Sequence, residues 1–205
     1  MERSRYHHGT LPEALLKATA QLVLEHGVAG LSLREVARRA GVSHGAPAHH
    51  FGDKAGLLTA LATQGFELFT AAQCAARDGA GSEPLRRFAA TGYAYVMFAD
   101  SHRAHYEIMF RPELLRQDDP ALLAASDAAY DVLRGVVAEV QAGGFIPDRD
   151  PEIVAVTAWS QAHGLATLWL SGNLRRASRR RRPDYDERFP DFESIARAVF
   201  SLGEK

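Results

Sequence analysis

Apolar residues recur at helical spacing from the first decade of the chain onward. Leu15, Leu16, Thr19, Leu22 and Val23 fall three or four positions apart, one face of a 3.6-residue period. The stripe opens on Thr10-Leu11-Pro12-Glu13, where hydroxyl and carboxylate can each serve a free amide of a first turn, and Gly27 can take the left-handed stop. A first helix over Leu11 to His26 follows. Ser32-Leu33-Arg34-Glu35 repeats the opening signal and starts a short helix that runs through Ala40 to a turn at Gly41. Ser43 then reads as the cap of a third helix reaching His50. Leu33, Val36, Ala40, Val42 and Phe51 can share one small core, and Ala37 is small enough to let the next helix approach. Two short helices across a tight turn are the pattern of a helix-turn-helix.

Asp53 can cap a fourth, longer helix, in which Leu57, Leu58, Leu61, Phe66, Leu68 and Phe69 keep period to about Arg77, before the DGAGSEP stretch at 78–84 breaks it. Further helical patterns cover Leu85 to Ala99, His102 to Phe110, Ala121 to Ala142, Glu152 to Ser171 and Phe192 to Leu202. In the longest, Leu122, Ser126, Ala129, Leu133, Val136 and Val140 mark one face. No segment alternates like a strand, and no repeat is apparent. The expected fold is all-α with about nine helices: an N-terminal three-helix head over residues 8–55 on a larger helical domain over residues 56–205.

Composition narrows the function classes. Hydrophobic residues make up 46% of the 205 residues and charged ones 24%, enough for a sizeable core. The formal net charge of -1 hides a concentration of basic groups in the first fifty-odd residues and in RRASRRRR, Arg175 to Arg182. With Pro183 and the acidic DYDE after it, that run reads as a solvated loop. A lone cysteine, Cys74, excludes an internal disulfide and is expected to pack on the apolar fourth helix; with no secretion signal at the N-terminus, a cytoplasmic location is expected. Ile153 to Leu174 carries no charge, yet Ser160, His163, Thr167 and Ser171 recur along one side, so a buried helix with a polar seam fits better than a membrane span. No membrane partner is expected. The chain has no glycine-rich phosphate loop, no H-E-x-x-H and no G-x-S-x-G, so neither an enzyme nor a cofactor is expected.

The stretch GVSHGAPAHHFGDK, residues 41–54, admits three readings. On a helix at about 100° per residue, His49 and His50 point roughly 140° and 240° away from His44, so the three histidines diverge, and no metal is expected. Exposed polar residues on a surface helix are the bland alternative. Reading DNA is the sharper one. Gly45 and Ala46 would let the helix lie close to a groove floor, its N-terminal amides favour phosphate, and His44, His49 and His50 can bond base edges or backbone.

These residues carry a family resemblance. LSLREVARRAGVSHGAPAHHFGDKAGLL, residues 31–58, resembles the DNA-binding segment of the TetR family of transcriptional repressors, and RYHHGTLPEALLKATAQLVLEHG before it resembles that family's first helix. AWSQAHGLATLWLSG, residues 158–172, resembles the effector domain named WHG, with Trp159, His163 and Gly164 in the naming positions. The resemblance implies that Ser32, Arg34 and Lys54 sit against phosphates, and that Ser43, His44, Gly45, Ala46, Pro47, Ala48 and His49 face the groove. The family usually has Tyr where this sequence has Ala48, which puts one phosphate contact in doubt. Arg3 and Arg5 could add contacts from an arm, or form a solvated tail.

A lone reading head makes a small interface, so a homodimer on double-stranded operator DNA is expected. The resemblance places the dimer interface on Glu152 to Ser171 and Phe192 to Leu202. A small apolar effector, not identified by the sequence, would bind among Tyr93, Met97, Phe98, Tyr106, Met109, Phe110, Trp159 and His163, unless these form ordinary core. The expected function is a regulator, a repressor released by its effector. The alternative is a helical ligand-binding or protein-interaction dimer that has lost DNA reading.

Overall fold

The computed structural model describes residues 10–173, and these form eight α-helices with no strand among them. The expected helix over Phe192 to Leu202, the arginine run, and Arg3 and Arg5 lie outside the described residues. α1 spans Leu11–His26, α2 Leu33–Ala40, α3 Ala46–Phe51, α4 Lys54–Gly79, α5 Pro84–Ser101, α6 Arg103–Met109, α7 Pro120–Ala142 and α8 Pro151–Leu170; a 3-10 turn at Pro112–Leu114 separates α6 from α7. α1 matches its expected bounds because both ends are written locally. Thr10 N–H donates to Glu13 Oε2 at 2.9 Å, and Gly27, at φ 67°, donates to Val23 O.

The described residues fall into two compact units. The first takes the chain up to Gly65 together with Arg103–Ala124; the second takes Phe66–His102 and the chain from Ala125 onward. In the first, α1 packs on α2 and α6, and α2 packs on α3. Leu15, Leu22, Val36, Leu57, Leu58, Leu61 and Ile108 are fully buried there, each aliphatic side chain contributing about 1.5–3 kcal/mol by leaving water. Gly65 lets α4 and α6 approach closely, since a Cβ at that position would lie 2.7 Å from Met109 Sδ.

In the second unit α5 packs on α8. Leu85, Phe88 and Ala89 join Val136, Val137, Val140 and Ile146 with Val154, Ala155 and Ala158 in one cluster. The buried face of α8 is narrow and made of small residues: Val154, Ala155, Ala158, Ala162 and Ala166. The expectation of a helix buried around a polar seam is therefore corrected. Ser160 and Thr167 are exposed, Ser160 donating to its own helix at Val156 O (2.7 Å), and Ile153, at 66% exposure, Val156, Trp159 and Leu168 are exposed on the same side in the single chain. No helix among the described residues is long and apolar enough to cross a membrane.

Candidate nucleic-acid interface

The reading head is built from α2, the turn after it, and α3. Ser32 caps α2 by accepting from Glu35 N–H at 3.2 Å. The Glu35 carboxylate takes the Arg38 guanidinium (Nε to Oε2, 2.9 Å), which holds it below the usual carboxylate range. Arg39 forks onto Glu25 at the end of α1, at 2.8 and 2.6 Å, and lowers that carboxyl likewise. Two of the three α2 arginines are thus neutralised. Arg34 is exposed and has no acidic partner among the described residues.

Gly41 takes the left-handed conformation (φ 70°, ψ 31°), and Val42 N–H closes onto Ala37 O at 3.0 Å, so the chain reverses within two residues. α3 then begins at Ala46 rather than at Ser43 as expected. Ser43 to Ala46 form a turn, Ala46 N–H donating to Ser43 O at 3.0 Å, and Gly45 takes the N-cap position without a side-chain cap. Pro47 stands second in the helix, where an amide would have no intrahelical acceptor, so it costs no hydrogen bond. Its ring is buried. Ser43, His44, Gly45, Ala48, His49 and His50 are exposed, and Ala46 is half-buried. Pro47 is thus the foot of the element, and its neighbours are the surface. His49 and His50 meet edge to face at 5.3 Å. Among the described residues, no group of three His, Cys, Asp or Glu could hold a metal ion.

Lys54, at the start of α4, is half-buried and donates from Nζ to Val28 O at 2.7 Å, tying α4 to the start of the α1–α2 connection. Asp53 caps α4 by accepting from Gly56 N–H at 2.8 Å and pairs with Arg116 Nη2 at 3.0 Å. First the amide and then the guanidinium hold its carboxyl below the ordinary value. Sequence reasoning missed Arg116, which lies more than fifty residues beyond this turn and carries no local signal.

The residues expected to form an effector pocket are divided between the units. Tyr106 and Met109 are buried in the first unit, where Tyr106 meets Phe110 at 5.2 Å. The other five belong to the second. Tyr93, Met97 and Trp159 are exposed, and Trp159 stands edge-on to Tyr130 at 5.9 Å. Phe98 is buried against Phe69, which also meets Tyr95 at 4.9 Å. Tyr95 Oη and His163 Nδ1 share a hydrogen bond of 2.8 Å, and desolvation pushes the His163 imidazole below its usual pKa, favouring the neutral ring. Trp169 Nε1 donates to Asp100 Oδ1 at 3.2 Å. Gln73 on α4 is buried with no hydrogen-bond partner for its Oε1. Neither Tyr95 nor Gln73 was among the expected residues, although a lone glutamine within an apolar helical stripe is a readable signal. Cys74 beside it is half-buried and free.

The family model described as bacterial regulatory proteins, tetR family, matches residues 15–61, and the one described as tetracyclin repressor-like, C-terminal domain, matches residues 88–189. The chain belongs to the TetR family of transcriptional regulators. Both TetR-family models describe regulators rather than enzymes. The chain resembles the HTH-type transcriptional regulator BetI of Stenotrophomonas maltophilia, 40% identical over 72 residues, which are 35% of this chain and 37% of that regulator. The chain thus spans less than two fifths of the length of the curated relatives it matches. A protein of unknown function from Rhodococcus sp. RHA1 is 37% identical over 97% of each chain, with a TM-score of 0.78. The TetR-family regulator PfmR from Thermus thermophilus shares the fold, with a TM-score of 0.65 at 21% identity over 92% of this chain and 95% of that one.

Proposed function

We propose that this TetR-family chain is a homodimeric, cytoplasmic repressor that binds operator DNA through the exposed side of α3 and leaves it when a small apolar effector binds. The observation that carries the reading is the division of labour in α3. Pro47 is buried as its foot, while Ala48 and His49, with Ser43 and His44 in the turn before it, stand exposed, as does Arg34 on α2. Small residues allow close approach to a groove, histidines supply donors and acceptors for base edges, and Arg34 and the remaining donors of Lys54 serve phosphates. Ala48 offers no ring for a phosphate contact, which shifts that work onto Arg34.

The exposed side of α8, where Ile153, Val156, Trp159 and Leu168 stand among Ser160 and Thr167, supplies what a second copy would cover. Pairing brings two heads to successive grooves and multiplies affinity. For the effector, the proposed site is the interior of the second unit, a reading supported by the apolar Phe69–Phe98 pair, the unpartnered Gln73 carbonyl and the Tyr95–His163 hydrogen bond in that unit. Such a ligand acts by favouring a dimer whose heads no longer match adjacent grooves.

The test is to incubate the purified protein with fragmented genomic DNA and sequence what it retains. Enrichment of one inverted repeat, lost when His44 and His49 are both changed to alanine, is the expected result; retained DNA indistinguishable from the input would sink the reading.

A further inference from the structure

The angle between α3 and α4 is set within Gly52 and Asp53, the two residues that separate the helices. Gly52, at φ 79°, occupies a backbone region that side chains disfavour, and the joint is closed by Gly52 N–H to Ala48 O at 2.8 Å and Asp53 N–H to Phe51 O at 3.0 Å, with Phe51 O packed against Gly56. A side chain from elsewhere spans this joint. The Arg116 guanidinium lies against both sides of it: a Cβ on Gly52 would meet Nη2 at 3.1 Å, and one on Gly56 would meet Cζ at 3.0 Å. Between the two glycines, Nη2 pairs with the Asp53 carboxylate at 3.0 Å, the same carboxylate that caps α4. The backbone of Arg116 is fixed as well. Its N–H donates to Thr59 Oγ1 at 2.9 Å, and that buried hydroxyl donates in turn to Ala55 O at 2.8 Å, one turn earlier in α4.

We infer that Arg116, outside the DNA-binding segment matched at residues 15–61 and inside the C-terminal match at 88–189, is a positioning residue for DNA binding: it locks the α3–α4 joint in the orientation that α3 needs to enter a groove. A planar guanidinium suits this place because it can lie against two glycines while one of its nitrogens pairs with a carboxylate, which a compact ammonium does less well. Groove readout tolerates only small displacements of the reading side chains, so a joint free to swing weakens binding without removing any contact to DNA. The inference rests on the proposal that α3 reads DNA.

The experiment measures the affinity of Arg116→Gln, Arg116→Lys, Asp53→Asn and the double variant Arg116→Gln/Asp53→Asn for a duplex recovered from the wild-type retention assay, across a range of salt concentrations. Asparagine keeps the acceptor that caps α4, so Asp53→Asn removes the ion pair while retaining the helix start. Arg116→Gln and Asp53→Asn should each weaken binding about tenfold, with both heads of a dimer contributing. Arg116→Lys should fall between Arg116→Gln and the wild type. The double variant should bind no worse than either single one, and the salt dependence should stay that of the wild type. A flattened salt dependence for Arg116→Gln would instead make Arg116 a direct phosphate contact, and unchanged affinity in Asp53→Asn and Arg116→Lys would remove its role altogether; either overturns the inference. If the wild type retains no particular DNA, the DNA-reading proposal itself has failed, and that outcome is separate.

Discussion

Replacing Arg34 by alanine isolates the electrostatic part of the proposed interface, because this arginine is the α2 cation that neither Glu35 nor Glu25 neutralises. Each phosphate contact on B-form DNA contributes about 0.9 to the slope of log affinity against log salt. A dimer loses two such contacts, so the slope should flatten by about 1.8. Between 50 and 200 mM salt, a fourfold span, the affinity gap between wild type and variant should then narrow by about twelvefold. The fold should not notice the change. An exposed side chain without a partner leaves the Tm within about 2 °C of the wild type. Lys54→Met serves as the contrast. It loses the same class of phosphate contact and also the bond from Nζ to Val28 O, which is worth about 1–2 kcal/mol at a half-exposed site and roughly 2–8 °C in Tm. Fluorescence anisotropy on a labelled duplex gives the slopes, and calorimetry gives the Tm values. An Arg34→Ala variant that binds more weakly with an unaltered slope would refute the assignment of Arg34 to a phosphate.

Three more outcomes are expected. His44→Ala and His49→Ala should shift sequence preference in a randomised-duplex selection while leaving the salt slope of binding unchanged. Gln73→Leu should raise the Tm by roughly 2–12 °C, since an unpartnered buried carbonyl costs about 1–3 kcal/mol, and should blunt any response to apolar effectors; a lower Tm would mean that the carbonyl is satisfied. His163 has a folded-state pKa below its unfolded value, so the unfolded chain binds more protons. Stability is therefore full above about pH 6.5 and falls as the pH drops below that value. His163→Phe should remove part of this acid sensitivity in urea titrations at pH 7.5 and 5.5.

What could be read from the chain was what neighbours in sequence decide. The Leu11–His26 bounds of α1 follow from a cap box and a glycine, and the Gly41 turn from its left-handed backbone. The start of α3 was misplaced for the same local reason. Ser43 is a good cap residue, but a turn closing from Ala46 N–H to Ser43 O takes its place, and the helix waits for Ala46 and Pro47. The clamp at Asp53 was invisible because Arg116 arrives from beyond α6, where nothing in the surrounding residues distinguishes it from any surface arginine. On α8, charge-free composition implied burial, whereas Ala155, Ala158, Ala162 and Ala166 bury one narrow strip and leave larger apolar residues outside. Composition counts apolar residues without saying which side of a helix they occupy.

The buried Pro47 has an evolutionary consequence. Because the buried Pro47 ring anchors the proposed reading element, changes at the exposed His44, Ala48 and His49 cost the fold little. On the proposal that α3 reads DNA, a scaffold of this kind can change its target at His44, Ala48 and His49 with little loss of stability.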